Sequence, residues 1–445
     1  MQQASPAEIH QSTSHRNIIR LAIPIILANA AVPLLGLVDT AVIGHNGTSA
    51  DLGAIAFGSL IFSFVYWGFG FLRMGTSGFT AQAAGAGDHN EVRAACLRAL
   101  LLGAAIGLSL IIAQYPLKHF ALWLLHGSKT VEQGAAEYWQ IRIWGAPATL
   151  GTYAIVGTLI GLGQTRKLLW LQLLLNGLNL LLDVIFVAGF DWGVRGIALG
   201  TLISEWIGFV VGAIILFNLL RPEHRAPFAT WPAIFQRTAI VRTLKTNSDI
   251  MWRTLFMLAG FGWFANQGAQ FGDTTLAANH ILLQFISFSA FFLDGFAFAL
   301  ESLIGKTMGA KNRKLFDRAI IASTQIAAFS ALGLMLIVGL GGSQFIHWLT
   351  PLATIQNAAQ GYLPYAAIYI LVSFAAFQLD GIFIGATASR AMRNAALVSL
   401  LIFLSAAEIL TRTAGNHGLW LAFIIYVIAR AICLGYYLPQ LRRQI

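Results

Sequence analysis

From residue 17 to residue 438 the chain is a succession of apolar stretches, each close to the ~20 residues that a helix needs to cross a hydrocarbon core. Apolar residues make up 57% of the 445 and charged residues only 10%, against about 45–50% and about 25% in soluble domains. A water-soluble fold cannot hide that much apolar surface, so lipid is the solvent. Strict alternation of polar and apolar residues, the pattern of an outer-membrane barrel, is missing, and the spans must be helices that satisfy their own backbone groups. The predicted fold is an all-α polytopic membrane protein. Twelve transmembrane helices are read near 17–43, 52–79, 92–114, 134–160, 165–190, 193–220, 238–268, 275–304, 316–340, 356–385, 393–411 and 416–438.

Positive charge collects on cytoplasmic segments, which tests the count and sets the orientation. With the N-terminus inside, Arg221, Arg225, Arg237, Arg242 and Lys245 fall in one inner segment and Lys306, Lys311, Arg313, Lys314 and Arg318 in another. The outer loops hold only Lys118, Lys129, Arg195 and Arg412. Both termini are therefore expected in the cytoplasm. The net charge of +10 reflects topology and attraction to anionic lipid, and calls for no nucleic-acid partner. The first apolar run passes Pro33 without a small-residue cleavage site, so it reads as a span and not a signal peptide. Cys96 and Cys433 lack metal-ligand spacing and read as small apolar residues.

The chain repeats itself. A shift of 224 positions aligns Leu52 with Leu276, Gly85-Ala86 with Gly309-Ala310, Tyr138 with Tyr362, Ile160-Gly161 with Ile384-Gly385 and Arg166 with Arg390. Near the end the shift slips to 222, where Gly193-Val-Arg-Gly196 meets Gly415-Asn-His-Gly418. Two pseudo-symmetric six-helix lobes follow, and an even number of helices per repeat leaves both in the same orientation. The expected organisation is a cytoplasmic tail (1–16), an N-terminal lobe (17–220), a cytoplasmic inter-lobe loop (221–237) carrying Pro222, Pro227 and Pro232, a C-terminal lobe (238–438) and a second cytoplasmic tail (439–445).

A carboxylate near the bilayer centre costs about 2.5–3.5 kcal/mol on insertion scales, so each one asks for a reason. Asp39 and Asp183 are the two to explain in the N-terminal half. Gln172, Asn176, Asn179 and Asp183 follow one another at spacings of 4, 3 and 4, which puts them on one helical face. Such a stripe either glues helices together or faces a polar pocket holding an ion. Burial and a like-charged neighbour both raise a carboxylate's affinity for protons, so a pair of acids suits the second reading. Pro24 and Pro33 precede Asp39, and the carbonyls they free predict a bend near residues 29 to 33, a candidate hinge. In the second half, Asp249 and Arg253 stand four apart and are predicted to pair along one helix. Asp294 and Glu301 share a face and are candidates for lining a cavity. No nucleophile-and-base or metal-binding motif of an intramembrane enzyme is present, and neither catalytic residues nor a structural metal is expected.

Arg20-Leu-Ala-Ile-Pro-Ile, then Val32-Pro-Leu-Leu-Gly-Leu-Val-Asp-Thr-Ala-Val-Ile-Gly-His45, resembles the multidrug and toxic compound extrusion (MATE) family, and more narrowly its DNA-damage-inducible (DinF-like) bacterial branch. Leu293-Asp-Gly-Phe-Ala-Phe-Ala-Leu-Glu301, Leu379-Asp-Gly-Ile-Phe-Ile-Gly-Ala386 and Gly415-Asn-His-Gly-Leu-Trp420 resemble the same branch. The resemblance implies a cation-coupled antiporter that exports organic compounds by alternating access, with the coupling ion among helices 1, 5 and 6 of the first lobe. The matching positions are Asp39, Asn179, Asp183 and Thr201, the last entering only through the family, with Glu205 one turn beyond it. The sodium-coupled branch carries a further acid earlier in its tenth helix, near Ser373 or Phe374 here, and its lack favours protons over sodium. No cofactor beyond the coupling ion is implied. The expected partners are small organic, cationic amphipathic substrates and membrane lipid, the expected location is the bacterial inner membrane, and the expected state is a monomer. A lipid-precursor flippase of the same superfamily is the alternative; it usually has additional helices.

Overall fold

The computed structural model describes residues 13–46, 48–124, 128–221 and 228–445; the side chains of residues 32–46, 49 and 124 lie outside that description. The helices, in chain order, are α1 (His15–Asn46), α2 (Ser49–Gly68), α3 (Phe71–Gly85), α4 (His89–Ile112), α5 (Gln114–Leu124), α6 (Lys129–Arg142), α7 (Ala146–Gly161), α8 (Thr165–Asp183), α9 (Gly193–Leu219), α10 (Trp231–Ile234), α11 (Arg237–Gln270), α12 (Asp273–Gly309), α13 (Arg313–Leu349), α14 (Ala353–Gly385), α15 (Ser389–Gly435) and α16 (Leu438–Arg442). Each of the twelve predicted ranges falls mainly on helix, although 52–79 crosses the turn at residues 69–70 between α2 and α3. Among the described residues nine helices are long and apolar enough to cross a membrane. One of these, Ser389–Arg442, joins the last two predicted ranges across Gly415, whose φ of 56° and ψ of −133° break the helix.

The ends of these helices are set by local chemistry. Thr48 and Asp51 form a reciprocal capping box at the start of α2, satisfying two amides that have no partner within the helix. Asp88 accepts from the Glu91 amide at 2.9 Å and so caps α4. Asn312, its counterpart at the 224-residue shift, accepts from the Leu315 amide at 3.1 Å and caps α13.

The described chain divides into two compact units. A C-half unit comprises Met1–Ile26, Gly85–Gly87 and Leu244–Ile445, and an N-half unit comprises Leu27–Ala84 and Asp88–Thr243. The first turns of α1 belong with the C-half unit because Ile18, Ala22 and Ile25 are buried there, and Gly295 of α12 lies close to the Ala22 carbonyl and the Ile26 side chain. Pro24 is buried within this stretch; the Pro33 side chain lies outside the described residues, so the hinge reading at that position is not described either.

Within each unit the same close packing recurs. In the N-half unit, Gly157 and Gly161 of α7 lie so near α3 that a Cβ would come within 2.4 Å of the Arg73 carbonyl oxygen and 2.5 Å of that of Ser77. In the C-half unit, Gly381 and Gly385 of α14 stand in the same relation to Ala297 and Glu301 of α12, at 2.4 and 2.3 Å. All four pairs correspond at the 224-residue shift. Backbones that approach this closely leave no room for a side chain, which is how membrane helices gain van der Waals contact. The left-handed turns repeat too: Gly87 with Lys311, Gly163 with Thr387, and Gly193 with Gly415.

Candidate ion-coupling site

α8 ends at Asp183, where a π-helical turn, Val184–Gly189, begins. Turns of this kind interrupt the regular ladder and often accompany functional positions. The Asp183 side chain is fully buried, at 0% exposure. The amide Nδ2 of Asn179, one turn earlier, donates to Asp183 Oδ2 at 3.0 Å. The same nitrogen donates to Thr201 Oγ1 on α9 at 3.3 Å, and the Thr201 hydroxyl donates onward to the Ile197 carbonyl at 2.9 Å. Asn179, Asp183 and Thr201, taken from three positions in the sequence, thus form one cluster inside the N-half unit. Asp39 belongs to α1 within that unit, and its side chain lies outside the described residues.

Gly200 makes the cluster possible. A Cβ at this position would sit 2.3 Å from Asp183 Oδ1, so the carboxylate occupies the space that any other residue would fill. Sequence reading missed Gly200; the signal was its place next to Thr201, which spacing alone does not single out.

The rest of the α8 stripe is less enclosed. Gln172 and Asn176 are half-buried, and Asn176 Nδ2 is buried without a hydrogen-bond partner among the described residues. Glu205 has a different environment: its Oε1 accepts from Arg142 Nη2 of α6 at 2.5 Å. Arg142 falls within the predicted span 134–160, and nothing in its local sequence marks Glu205 as its partner. Asp294 is half-buried and Glu301 fully buried, both on α12 of the C-half unit.

The expected pairing of Asp249 with Arg253 along α11 is not what forms. Asp249 accepts from Arg393 Nη1 at 2.7 Å and from Ser389 Oγ at 3.0 Å. Arg253 pairs with Asp380 of α14, and Arg430 of α15 reaches the same oxygen, Oδ2, at 2.8 Å. Both ends of the supposed pair are buried, and here each buried charge finds its partner on a packed neighbouring helix, which outweighs the modest preference for pairing at a spacing of four. A small cavity of about 10 Å³ adjoins Arg253, Asp380 and Arg430. Among the described residues no group of three His, Cys, Asp or Glu converges as a metal site would require.

The MatE family model matches residues 24–185 and 263–407. DNA damage-inducible protein F of Escherichia coli (strain K12) is 35% identical over 95% of this chain and 92% of its own length. The chain belongs to the MatE family. Multidrug resistance protein NorM of Vibrio cholerae is 24% identical, over 96% of each chain. The solved structure of a MOP superfamily transporter from Pyrococcus furiosus superposes with a TM-score of 0.89, covering 100% of this chain and 99% of that one, at 18% identity, so the MatE fold extends over the whole chain. MatE proteins are transporters and not enzymes, and this chain is a multi-pass membrane transporter of that family. The stretches matched include Asp39, Asn179 and Asp183.

Proposed function

We propose that this MatE protein exports organic, cationic amphipathic compounds across the bacterial inner membrane in exchange for protons, by alternating access. The relatives support export: one is a multidrug resistance protein. The observation that carries the coupling reading is the setting of Asp183, fully buried and met by the neutral amide of Asn179, which Thr201 shares. A lone charge at that depth is costly, so a cation that binds there offsets it. A proton taken up there neutralises the acid; a proton released restores a charge to which a cationic substrate is attracted. Asp39 is the second acid of the same proposal. Exchange of one proton for one monovalent cation moves no net charge, whereas two protons would add about 2.3 kcal/mol per 100 mV of membrane potential.

Sodium is the second reading, because a carboxylate, an amide and a hydroxyl at Asp183, Asn179 and Thr201 are hard oxygen-bearing ligands. Efflux from reconstituted vesicles under an imposed pH gradient, and separately under a sodium gradient, tests both readings. Asp39→Asn and Asp183→Asn should abolish the coupled efflux. Wild-type rates in both variants would remove these acids from the mechanism, and sodium stimulation at constant pH would replace the proton. Lipid scrambling without efflux of any organic compound would favour a flippase.

A further inference from the structure

The expected inter-lobe loop, 221–237, holds a folded element. α10 (Trp231–Ile234) lies between the end of α9 at Leu219 and the start of α11 at Arg237, within the N-half unit. Arg98 of α4, 8% exposed, fixes it in place: Nη1 donates to the Ala233 carbonyl at 2.7 Å, and Nη2 pairs with Glu91. Ile234 turns inward and is buried. The other side is open: Trp231 is 73% exposed and Phe235 54%, and their rings stack at 5.5 Å with planes 10° apart. α4 sets the depth of this pair. It is an apolar span of 24 residues, about 36 Å long, against a hydrocarbon core of about 30 Å. At most about 6 Å of α4 therefore lies beyond the core at either end. Arg98 stands about 14 Å from the start of α4, inside the edge of the core, and its side chain reaches back toward Glu91 and the membrane surface, as a long cation in a span does. The Ala233 carbonyl that it meets lies at the boundary between hydrocarbon and headgroups.

We propose that α10 is a membrane-surface anchor of the N-half unit: Trp231 and Phe235 enter the headgroup layer of an anionic bilayer, and the Arg98 bond to Ala233 ties them to α4. Tryptophan favours that layer because its ring is apolar and its N–H polar. The sign of the lipid follows from the neighbours. No acidic residue occurs from His224 to Ser248, while Arg221, Arg237 and Arg242 are exposed. An apolar face flanked by cations suits a lipid surface that carries negative charge. A water-soluble partner would need α10 clear of the headgroups, and its bond to Arg98, well inside α4, holds it among them. The segment is therefore no slack tether: its described part moves with the N-half unit and holds that unit at one depth. The inference goes beyond the export reading and does not depend on which ion is coupled.

The test places a nitroxide at Trp231→Cys, and separately at Phe235→Cys, in the full chain carrying Cys96→Ala and Cys433→Ala. The protein is reconstituted in bilayers of phosphatidylcholine with phosphatidylglycerol. Relaxation by oxygen, which concentrates in lipid, and by a water-soluble nickel chelate gives the depth, calibrated with spin-labelled lipids. Both labels should lie about 5–10 Å into the boundary between headgroups and acyl chains. Labels as open to the chelate as a fully hydrated site overturn the proposal. In phosphatidylcholine alone the labels should lie shallower, and Arg221→Gln with Arg237→Gln should remove that difference between lipids. Equal depth in both lipids for the unsubstituted arginines overturns the assignment to anionic lipid. Arg98→Gln should loosen the label at 231, seen as narrower spectral lines, and unchanged lines overturn the tie to α4. If the cysteine-free background does not fold, the wild-type chain labelled with 5-fluorotryptophan decides. Its fluorine resonance that is lost in Trp231→Phe should be broadened by a lipid-borne nitroxide more than by a dissolved gadolinium chelate, and the reverse order overturns the proposal.

Discussion

The internal repeat allows the candidate site to be set beside its own counterpart. At the shifts of 224 and 222, Asn179, Asp183, Gly200, Thr201 and Glu205 of the N-half unit correspond to Phe403, Ala407, Ala422, Phe423 and Val427 of the C-half unit. In one unit these places hold an amide, two acids and a hydroxyl. In the other they are part of a buried apolar core, where Phe403 and Phe423 lie 5.9 Å apart and Phe423 stacks on Tyr369 at 4.7 Å. One helical scaffold therefore carries two interiors. Equivalent helix faces meet in both, so packing does not require the polar set. Aromatic side chains fill the same places without a buried charge, which makes Asp183 a cost with no structural return of its own.

The largest expected effect comes from exchanging the two interiors. Ala407→Asp puts a carboxylate into the aromatic core, where Ala407 is 1% exposed, and a buried charge without partners costs several kcal/mol. Folded protein should fail to accumulate, as read by fluorescence-detected size exclusion. Asp183→Asn at the corresponding place should leave yield and thermal unfolding near wild type while ion-coupled efflux falls to background. An Asp183→Asn variant as unstable as Ala407→Asp would show that the acid is part of the scaffold, contrary to the comparison.

Next in size is the acid that the C-half unit does bury. Asp380, 14% exposed, accepts from Arg253 and Arg430 on a single oxygen. Two guanidinium groups meet this acid, whereas Asp183 accepts from the amide of Asn179. Asp380→Asn leaves two buried cations without their counter-charge, and removing one member of a buried ion pair costs about 3–5 kcal/mol. The thermal unfolding temperature in detergent should drop sharply. Unchanged stability would mean that Asp294, which acts electrostatically on Arg430, supplies the balance.

A smaller and more discriminating effect separates Gly200 from Ala422. Glycine to alanine inside a helix ordinarily gains about 1 kcal/mol. Gly200→Ala should reverse that sign, because the new methyl would meet Asp183 Oδ1 at 2.3 Å and overpacking costs about 1–3 kcal/mol. Ala422→Gly removes a buried methyl and loses about 1 kcal/mol from helix propensity, with transport unaffected. Gly200→Ala combined with Asp183→Ser should recover the stability lost by Gly200→Ala alone. No recovery would place the clash elsewhere.

How far the sequence alone led differs between fold and site. Spans, orientation logic and the repeat depend on apolar length and identity at fixed offsets, which are properties of the chain itself, and the repeat recurs in structure down to the Gly157 and Gly381 contacts. Asn179 and Asp183 were legible because they sit four apart on one helix. Their meeting with Thr201 crosses from α8 to α9, and only the family resemblance anticipated it. Long-range pairs were not legible in any way. Asp249 and Arg253 satisfied the local rule and still bonded to Arg393 and Asp380, because oppositely charged groups on packed neighbouring helices compete with the next turn. Gly200 and Arg142 failed to stand out for the same reason: their roles exist only against Asp183 and Glu205 on other helices.

The smallest expected effect lies at the start of α9 and its repeat. Arg195 pairs with Glu137 of α6 at 3.0 Å, with side chains 66% and 46% exposed. His417, its counterpart at the shift of 222, lies against Tyr362 and Tyr365 of α14, at ring separations of 4.8 and 5.6 Å. Both contacts tie the first turn of a helix to the same neighbour in the repeat, one by charge and one by ring contact. An exposed ion pair contributes about 0–1 kcal/mol and is screened by salt. A ring contact contributes about 0.5–1.5 kcal/mol with little dependence on salt. Arg195→Gln should therefore lower thermal stability slightly at low ionic strength and not at all in high salt, while His417→Ala should give a loss that salt leaves unchanged. Equal salt dependence in the two variants would mean that His417 acts as a charge, and the two ends of the repeat would then use the same chemistry after all.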